Sequence, residues 1–289
     1  MRLVGAELLK LQRRMASYVV LGVLLVIMAL IYLVVGLTPR GDLVDPAADV
    51  LRFPNAYSTL GQFVFGLGSL LAVAYAAAVA GADWSWGVLR NVVSRGESRV
   101  FYILAKAAGL AIVFAIAVLL AFLAGIVLIF LAAAMRGDTA GDPVSARALR
   151  QLIDSLVFGY PVLLERAAIG FGVAVLLKSQ LAGVVVGIVL YIGEGILGAI
   201  LLAISLAGRF GGGSFDLEPI GPEWYQYLPF TLGDSVLSGI SPGPSLEGGF
   251  EGLLLRPVPL EQAIVGVLLY LAAALALSAI ALHRQEISA

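Results

Sequence analysis

The stretch AAGLAIVFAIAVLLAFLAGIVLIFLAAAM, Ala107 to Met135, runs for 29 residues without a charge between Lys106 and Arg136. A helix rises 1.5 Å per residue, and roughly 20 residues suffice to cross a hydrocarbon core about 30 Å thick. Two further charge-free runs precede it, 25 residues between Arg14 and Arg40 and 30 between Arg52 and Asp83. The whole chain of 289 residues follows suit, with 61% apolar and 13% charged residues. An ordinary soluble chain is about 45–50% apolar and about 25% charged, so a soluble fold is excluded. The expectation is an all-α integral membrane protein forming a single transmembrane domain over residues 1–289.

Six transmembrane helices are predicted, at 17–37, 58–81, 103–133, 155–177, 180–207 and 262–282. Lys178-Ser179-Gln180 leaves room only for a helical hairpin between the fourth and fifth. The first apolar run is too long for a signal peptide and lacks a clear small-x-small cleavage site, so it reads as a retained helix. An even number of spans puts both termini on one side. That side collects ten basic residues (Arg2, Lys10, Arg13, Arg14, Arg90, Arg95, Arg99, Lys106, Lys178, Arg284) against four acidic ones. The opposite side carries seven basic and thirteen acidic residues. Cytoplasmic segments are enriched in Lys and Arg, which predicts N-in, C-in. The long segment 208–261 then lies outside. It is rich in Gly and Pro, and its Trp224-Tyr225-Gln226-Tyr227-Leu228-Pro229-Phe230 stretch suits the outer headgroup level, with short re-entrant helices expected there.

Several function classes fall away. There is no cysteine, so no disulfide framework or thiolate metal site exists. His283 is the single histidine, which removes two-histidine metal motifs and reads as a solvated helix-end residue. A formal charge of −1 gives no general attraction to nucleic acid. No catalytic residue and no metal site is predicted, and the chain is not expected to be an enzyme. No internal repeat is evident, unlike many inverted-repeat secondary transporters.

Two segments belong at the membrane surface. In residues 1–16, Leu3, Leu8, Leu9 and Leu11 interleave with Arg2, Glu7, Lys10, Arg13 and Arg14, the pattern of an interfacial amphipathic helix. In residues 83–99, Trp84 and Trp86 mark the interface, and Val88, Leu89, Val92 and Val93 give an apolar side beside Arg90, Arg95 and Arg99. A basic inside loop with an aromatic belt, or a short helix pressed on a partner, would each look like this.

Taken together, the amphipathic amino-terminal helix, an acidic residue closing the second span, the Gly87-Val88-Leu89-Arg90 run, the Ser98-Arg99 pair and Lys106 resemble the permease subunits of ABC-2 type transporters, the type V fold shared with ABCG exporters. The resemblance implies that Asp83 stands where the family usually has Glu and that Gly87, Leu89 and Arg90 match its Gly-Thr-Leu-Arg pattern. Arg95, Arg99 and Lys106 then stand among the basic positions that follow it. Val88 departs from the family's Thr. The resemblance further implies an elbow helix at 1–16, a cytoplasmic coupling helix within 83–99 and a separate ABC ATPase subunit docked on it. The Tyr227-Leu228-Pro229-Phe230 stretch is similar to what often precedes the last helix of the family. It also implies a second permease chain, identical or not, export as the direction, and residence in the plasma (inner) membrane. No Gly-x-x-x-x-Gly-Lys-Ser/Thr phosphate loop occurs here, so ATP and Mg belong to the partner ATPase and no cofactor is expected in this chain.

The remaining charges lie inside the predicted spans: Glu165 and Arg166 on the fourth, Glu194 on the fifth. Arg166 is 12 residues from Lys178 and Glu194 is 14 from Gln180. Both therefore stand roughly 18–21 Å above the hairpin turn. A lone charge at that depth costs at least about 2.5–3.5 kcal/mol, and an opposite charge removes much of this. The expected pair is Arg166 with Glu194, leaving Glu165 to be protonated, to share Arg166 or to face a wet cavity. Such a group locks helices together or lines an ion path, and the alternative function is an ion-coupled secondary transporter or channel using these three residues. Gly183, Gly187 and Gly195 recur at multiples of four, a spacing that lets another backbone approach, within the chain or across a dimer.

Overall fold

The computed structural model describes residues 2–40, 45–85, 98–210, 222–240 and 258–284. They form ten α-helices: α1 Arg2–Gln12, α2 Met15–Leu37, α3 Pro46–Leu51, α4 Asn55–Gln62, α5 Gly68–Ser85, α6 Arg99–Arg136, α7 Ala146–Leu177, α8 Gln180–Phe210, α9 Pro229–Gly239 and α10 Leu260–Arg284. A π-helical segment, Phe63–Leu67, joins α4 to α5, and a 3-10 turn, Trp224–Tyr227, leads into α9. No strand occurs among the described residues.

Six helical stretches are long and apolar enough to cross a membrane: Met15–Leu37, Asn55–Trp84, Val100–Arg136, Ala146–Leu177, Gln180–Ser205 and Leu260–Arg284. This is the layout of a multi-pass membrane protein. Five of the six predicted spans lie within one of them, and the other, 180–207, passes the end of its stretch by two residues while staying inside α8. The fourth starts about two turns earlier than 155, because the Ser145 side chain caps it by accepting from Ala148 N at 3.3 Å. Its first turns carry Arg147, Arg150 and Asp154, which an apolar-run criterion leaves out.

The second and fourth spans are the core: 67% and 61% of their most apolar windows are buried, against 6% for the fifth. α5 and α7 approach so closely that a Cβ on Gly170 would lie 2.5 Å from the Val73 carbonyl oxygen. Gly183 and Gly187 of α8 serve the same close packing within the chain, against Ala174 and Val73, whereas Gly195 has open space beside it. The α7–α8 turn is made by Lys178 in the left-handed region, φ 53°. α9, opened by Pro229 at its first turn, packs against α7, α8 and α10.

At the end of the bundle away from the chain termini, Arg136 closes α6 onto its neighbours. Its Nη1 donates to Thr38 O at 2.7 Å, its Nε to Asp138 Oδ2 at 2.8 Å, and its Nη2 to Asp45, which also caps α3. Arg40 Nε donates to the other Asp138 oxygen at 3.0 Å. The hydrogen bond from Arg136, aided by the nearby Arg40 charge, holds the Asp138 carboxyl below its usual range.

Candidate functional site

Two polar groups interrupt the apolar bundle. The first lies where α1, α5 and α6 meet at the end carrying the termini. Asp83, in the last turn of α5, accepts from Lys10 Nζ of α1 at 3.0 Å through one oxygen. Its other oxygen accepts from Tyr102 Oη and Lys106 Nζ of α6. Asp83 and Lys106 are buried, with 3% and 1% of their side chains exposed, so Lys106 depends on the Asp83 carboxylate, while Asp83 is also held by Lys10 and Tyr102. Lys10 also lies 3.6 Å from Glu7 one turn earlier on α1. Sequence places Asp83, Arg99 and Lys106 near one another because the second and third spans are consecutive. Lys10 is 73 residues from its partner, and nothing local announces that contact.

Arg99 opens α6. Gly87, Leu89, Arg90 and Arg95 lie outside the described residues, as does the helix expected within 83–99 beyond Ser85. The adjoining helix ends are described: Trp84 carries Lys178 Nζ 5.7 Å above its ring centroid, which brings the α7–α8 turn beside the end of α5.

The second group sits deep in the bundle around Arg166 of α7. The expected Arg166–Glu194 pair does not form. Arg166 Nη2 binds Asp234 of α9 and donates to Phe230 O at 3.0 Å, while Nη1 donates to Phe65 O at 3.1 Å and to Tyr191 Oη at 3.3 Å. Tyr191 Oη in turn donates to Gly66 O at 3.2 Å. The reason lies in the backbone. A π turn breaks the regular i→i−4 ladder, and it exposes the carbonyls of Phe65 and Gly66 toward donors on α7 and α8. The short helix α9, buried against α7 and α10, then delivers Asp234 at the same depth.

Glu194 of α8 instead binds the start of α9: its Oε1 accepts from Thr231 N at 2.7 Å and from Thr231 Oγ1 at 3.0 Å. These are orphan donors of a helix N-terminus, a natural anchor for a carboxylate. Glu165 is fully buried, and among the described residues neither of its oxygens has a hydrogen-bond donor. It feels the charges of Arg166, Glu194 and Asp234. Asp234 and Thr231 escaped the sequence reading because they lie in a segment taken for a headgroup-level loop. The available signal was electrostatic: Arg166 with two nearby acids still needs a partner at the right angular setting, and Asp234 is the carboxylate of the Pro229-initiated helix.

Among the described residues no group of three or more His, Cys, Asp or Glu side chains is arranged to hold a metal ion. A family described as a protein of unknown function (DUF2705) matches residues 44–288. No curated protein matches the chain.

Proposed function

We propose that this chain, a member of the DUF2705 family, is the membrane-spanning permease subunit of an ATP-driven ABC-2 type transporter working as an exporter in the plasma membrane. In this reading both termini are cytoplasmic. Helix α1 is the interfacial elbow, and the connection between Ser85 and Ser98 carries the coupling segment with Gly87, Leu89, Arg90 and Arg95. Two permease chains work with two ABC ATPase subunits, which hold ATP and Mg.

The observation that carries the proposal is the Asp83 carboxylate. It binds Lys10 of α1 and Lys106 of α6 at once, so the elbow and both helices that bound the 86–97 connection are joined at one buried point. A push on that connection is thereby delivered to α1, α5 and α6 together. Rigid transmission of this kind is what a permease needs if ATP-bound ATPases are to favour one of its states over another. The permease itself makes no covalent bond.

The test is recovery of the tagged chain from gently solubilised native membranes, with mass spectrometry of its companions, beside the Arg90→Glu/Arg99→Glu variant. A phosphate-loop ATPase that arrives with the native chain and is lost from the variant supports the class and the docking segment. A chain that repeatedly arrives without an ATPase overturns the reading. The ion-coupled alternative would then gain, since Glu165 offers a buried carboxyl without a donor among the described residues.

A further inference from the structure

Between α6, α7 and α10 the bundle leaves a cavity of about 240 Å³. Protein interiors hold few voids larger than a water molecule, so a gap of this size needs a cause. The cause is in the side chains: Ala107, Ala108 and Ala111 of α6 and Ala167 and Ala168 of α7 line it together. Methyl groups on both sides leave open a seam that leucines would close. Every residue lining the cavity is Ala, Leu or Phe. No side chain there offers water a hydrogen bond, and an apolar cavity of roughly 150 Å³ already stays dry and takes up an apolar guest.

The setting of the cavity identifies that guest. Its α6 rim is open, for Leu104 and Ala108 are exposed, and both lie inside the third membrane-crossing stretch. What borders the rim is therefore hydrocarbon. At one end the lining consists of Leu104, Phe171 and Leu275, which are 5, 7 and 9 residues from Arg99, Lys178 and Arg284 at the helix ends. At the other end Phe114, Leu164 and Leu271 are 15, 14 and 13 residues from the same three positions. Measured along the helices, the cavity thus runs from about 8–14 Å to about 20–22 Å beyond their basic ends. Two of these ends are level with each other. A Cβ on Gly172 of α7 would lie 3.0 Å from Ser278 Oγ of α10, and each of these residues is six positions before Lys178 or Arg284. Both basic side chains are exposed.

We propose that this cavity holds an acyl chain of an anionic phospholipid from the leaflet on the side of the chain termini, with the headgroup beside Lys178 and Arg284. The cavity extends along the helices, as a lipid chain does, and positive charge stands where the phosphate arrives. A helix of a second copy does not fit. One turn with its side chains, about 10–12 Å across and 5.4 Å long, already takes roughly 400–600 Å³. The bound chain fills the seam beside α6, the helix whose Lys106 joins the Asp83 cluster. This inference rests on the packing of α6, α7 and α10 and needs no ATPase.

Photolabelling of the purified full chain in detergent micelles tests it, using phosphatidylglycerol and phosphatidylcholine that carry the same diazirine-bearing acyl chain, with adducts located by mass spectrometry. Adducts are expected on the cavity-lining segments of α6, α7 and α10. Phosphatidylglycerol should label about fivefold more than phosphatidylcholine, the effect of about one basic residue, and Lys178→Gln/Arg284→Gln should abolish that preference. Ala107→Leu/Ala168→Leu should reduce labelling about tenfold, as about two methylenes of the chain lose their burial. Adducts spread evenly over the exposed faces of α2 and α8, equal labelling by the two lipids, a preference that survives Lys178→Gln/Arg284→Gln, or unchanged labelling in Ala107→Leu/Ala168→Leu would each overturn the proposal. If the leucine variant folds poorly, the adduct positions and the lipid comparison on the unaltered chain still decide. No ATPase is present, so this outcome and that of the pull-down are separate.

Discussion

Replacing Asp83 and replacing Lys106 should not cost the same, although the two side chains form one ion pair. Lys106 leaves 1% of its side chain exposed, and among the described residues no other acid is hydrogen-bonded to it. Asp83→Ala therefore strands an ammonium in the bundle, and breaking a buried pair in this way costs about 3–5 kcal/mol. Lys10 suffers less, because it keeps Glu7 and leaves 32% of its side chain exposed. Lys106→Met is milder. Asp83 then retains Lys10 at 3.0 Å and the Tyr102 hydroxyl, while the methionine fills the space with apolar contacts. The loss is that of one charge-assisted hydrogen bond, about 1.5–3 kcal/mol. The double variant removes both buried charges and should return to about the level of Lys106→Met, so the coupling between the sites equals the Asp83→Ala penalty, about 3–5 kcal/mol. Unfolding by increasing SDS in mixed micelles, followed by tryptophan fluorescence, gives the four free energies. Equal penalties for the single variants, or strict additivity in the double, would refute the reasoning that Lys106 depends on Asp83 while Asp83 has other partners.

Two further perturbations address the remaining clusters. Arg166→Leu should destabilise by about 3–5 kcal/mol, since it unpairs Asp234 and takes donors from the Phe65 and Phe230 carbonyls; adding Asp234→Leu should recover part of that loss and adding Glu194→Leu none, in the same unfolding assay, and the reverse pattern would restore the Arg166–Glu194 pairing. Asp138 has a depressed carboxyl in the folded chain, so its contribution is complete above the ordinary carboxylate pKa near ~3.9 and is lost as pH falls through the lower folded value; the melting temperature gap between the native chain and Asp138→Asn should be widest at neutral pH and close on acidification, and a gap that widens in acid would contradict the sign.

How far the sequence could be read differs from one element to the next. The spans were legible because insertion depends on a one-dimensional quantity, the length of chain free of charge. Helix starts were less so: Ala146 begins α7 because of the Ser145 cap, a local hydrogen bond that hydropathy ignores. The depth of Arg166 also followed from counting residues along a helix. Its partner did not. Asp234 lies 68 residues further on, in a short helix whose entry into the bundle depends on Pro229, on Thr231 meeting Glu194 and on the space left between α7 and α10. The same holds at the other site, where the acid at the end of the second span and the lysine in the third stood out singly while Lys10 registered only as surface charge.

What the sequence by itself determined is membrane residence, the number and order of six spans, and the level along each helix at which a charge must sit. These depend on composition and on a fixed rise per residue. Tertiary structure decided which charges meet. A contact near 3 Å depends on how each helix is rotated about its axis, on where a π turn releases two carbonyls, and on how closely glycines such as Gly170 let neighbours approach. Those quantities arise only when the helices pack, so Arg166 finds Asp234, Glu194 finds Thr231, and Glu165 is left with no donor among the described residues.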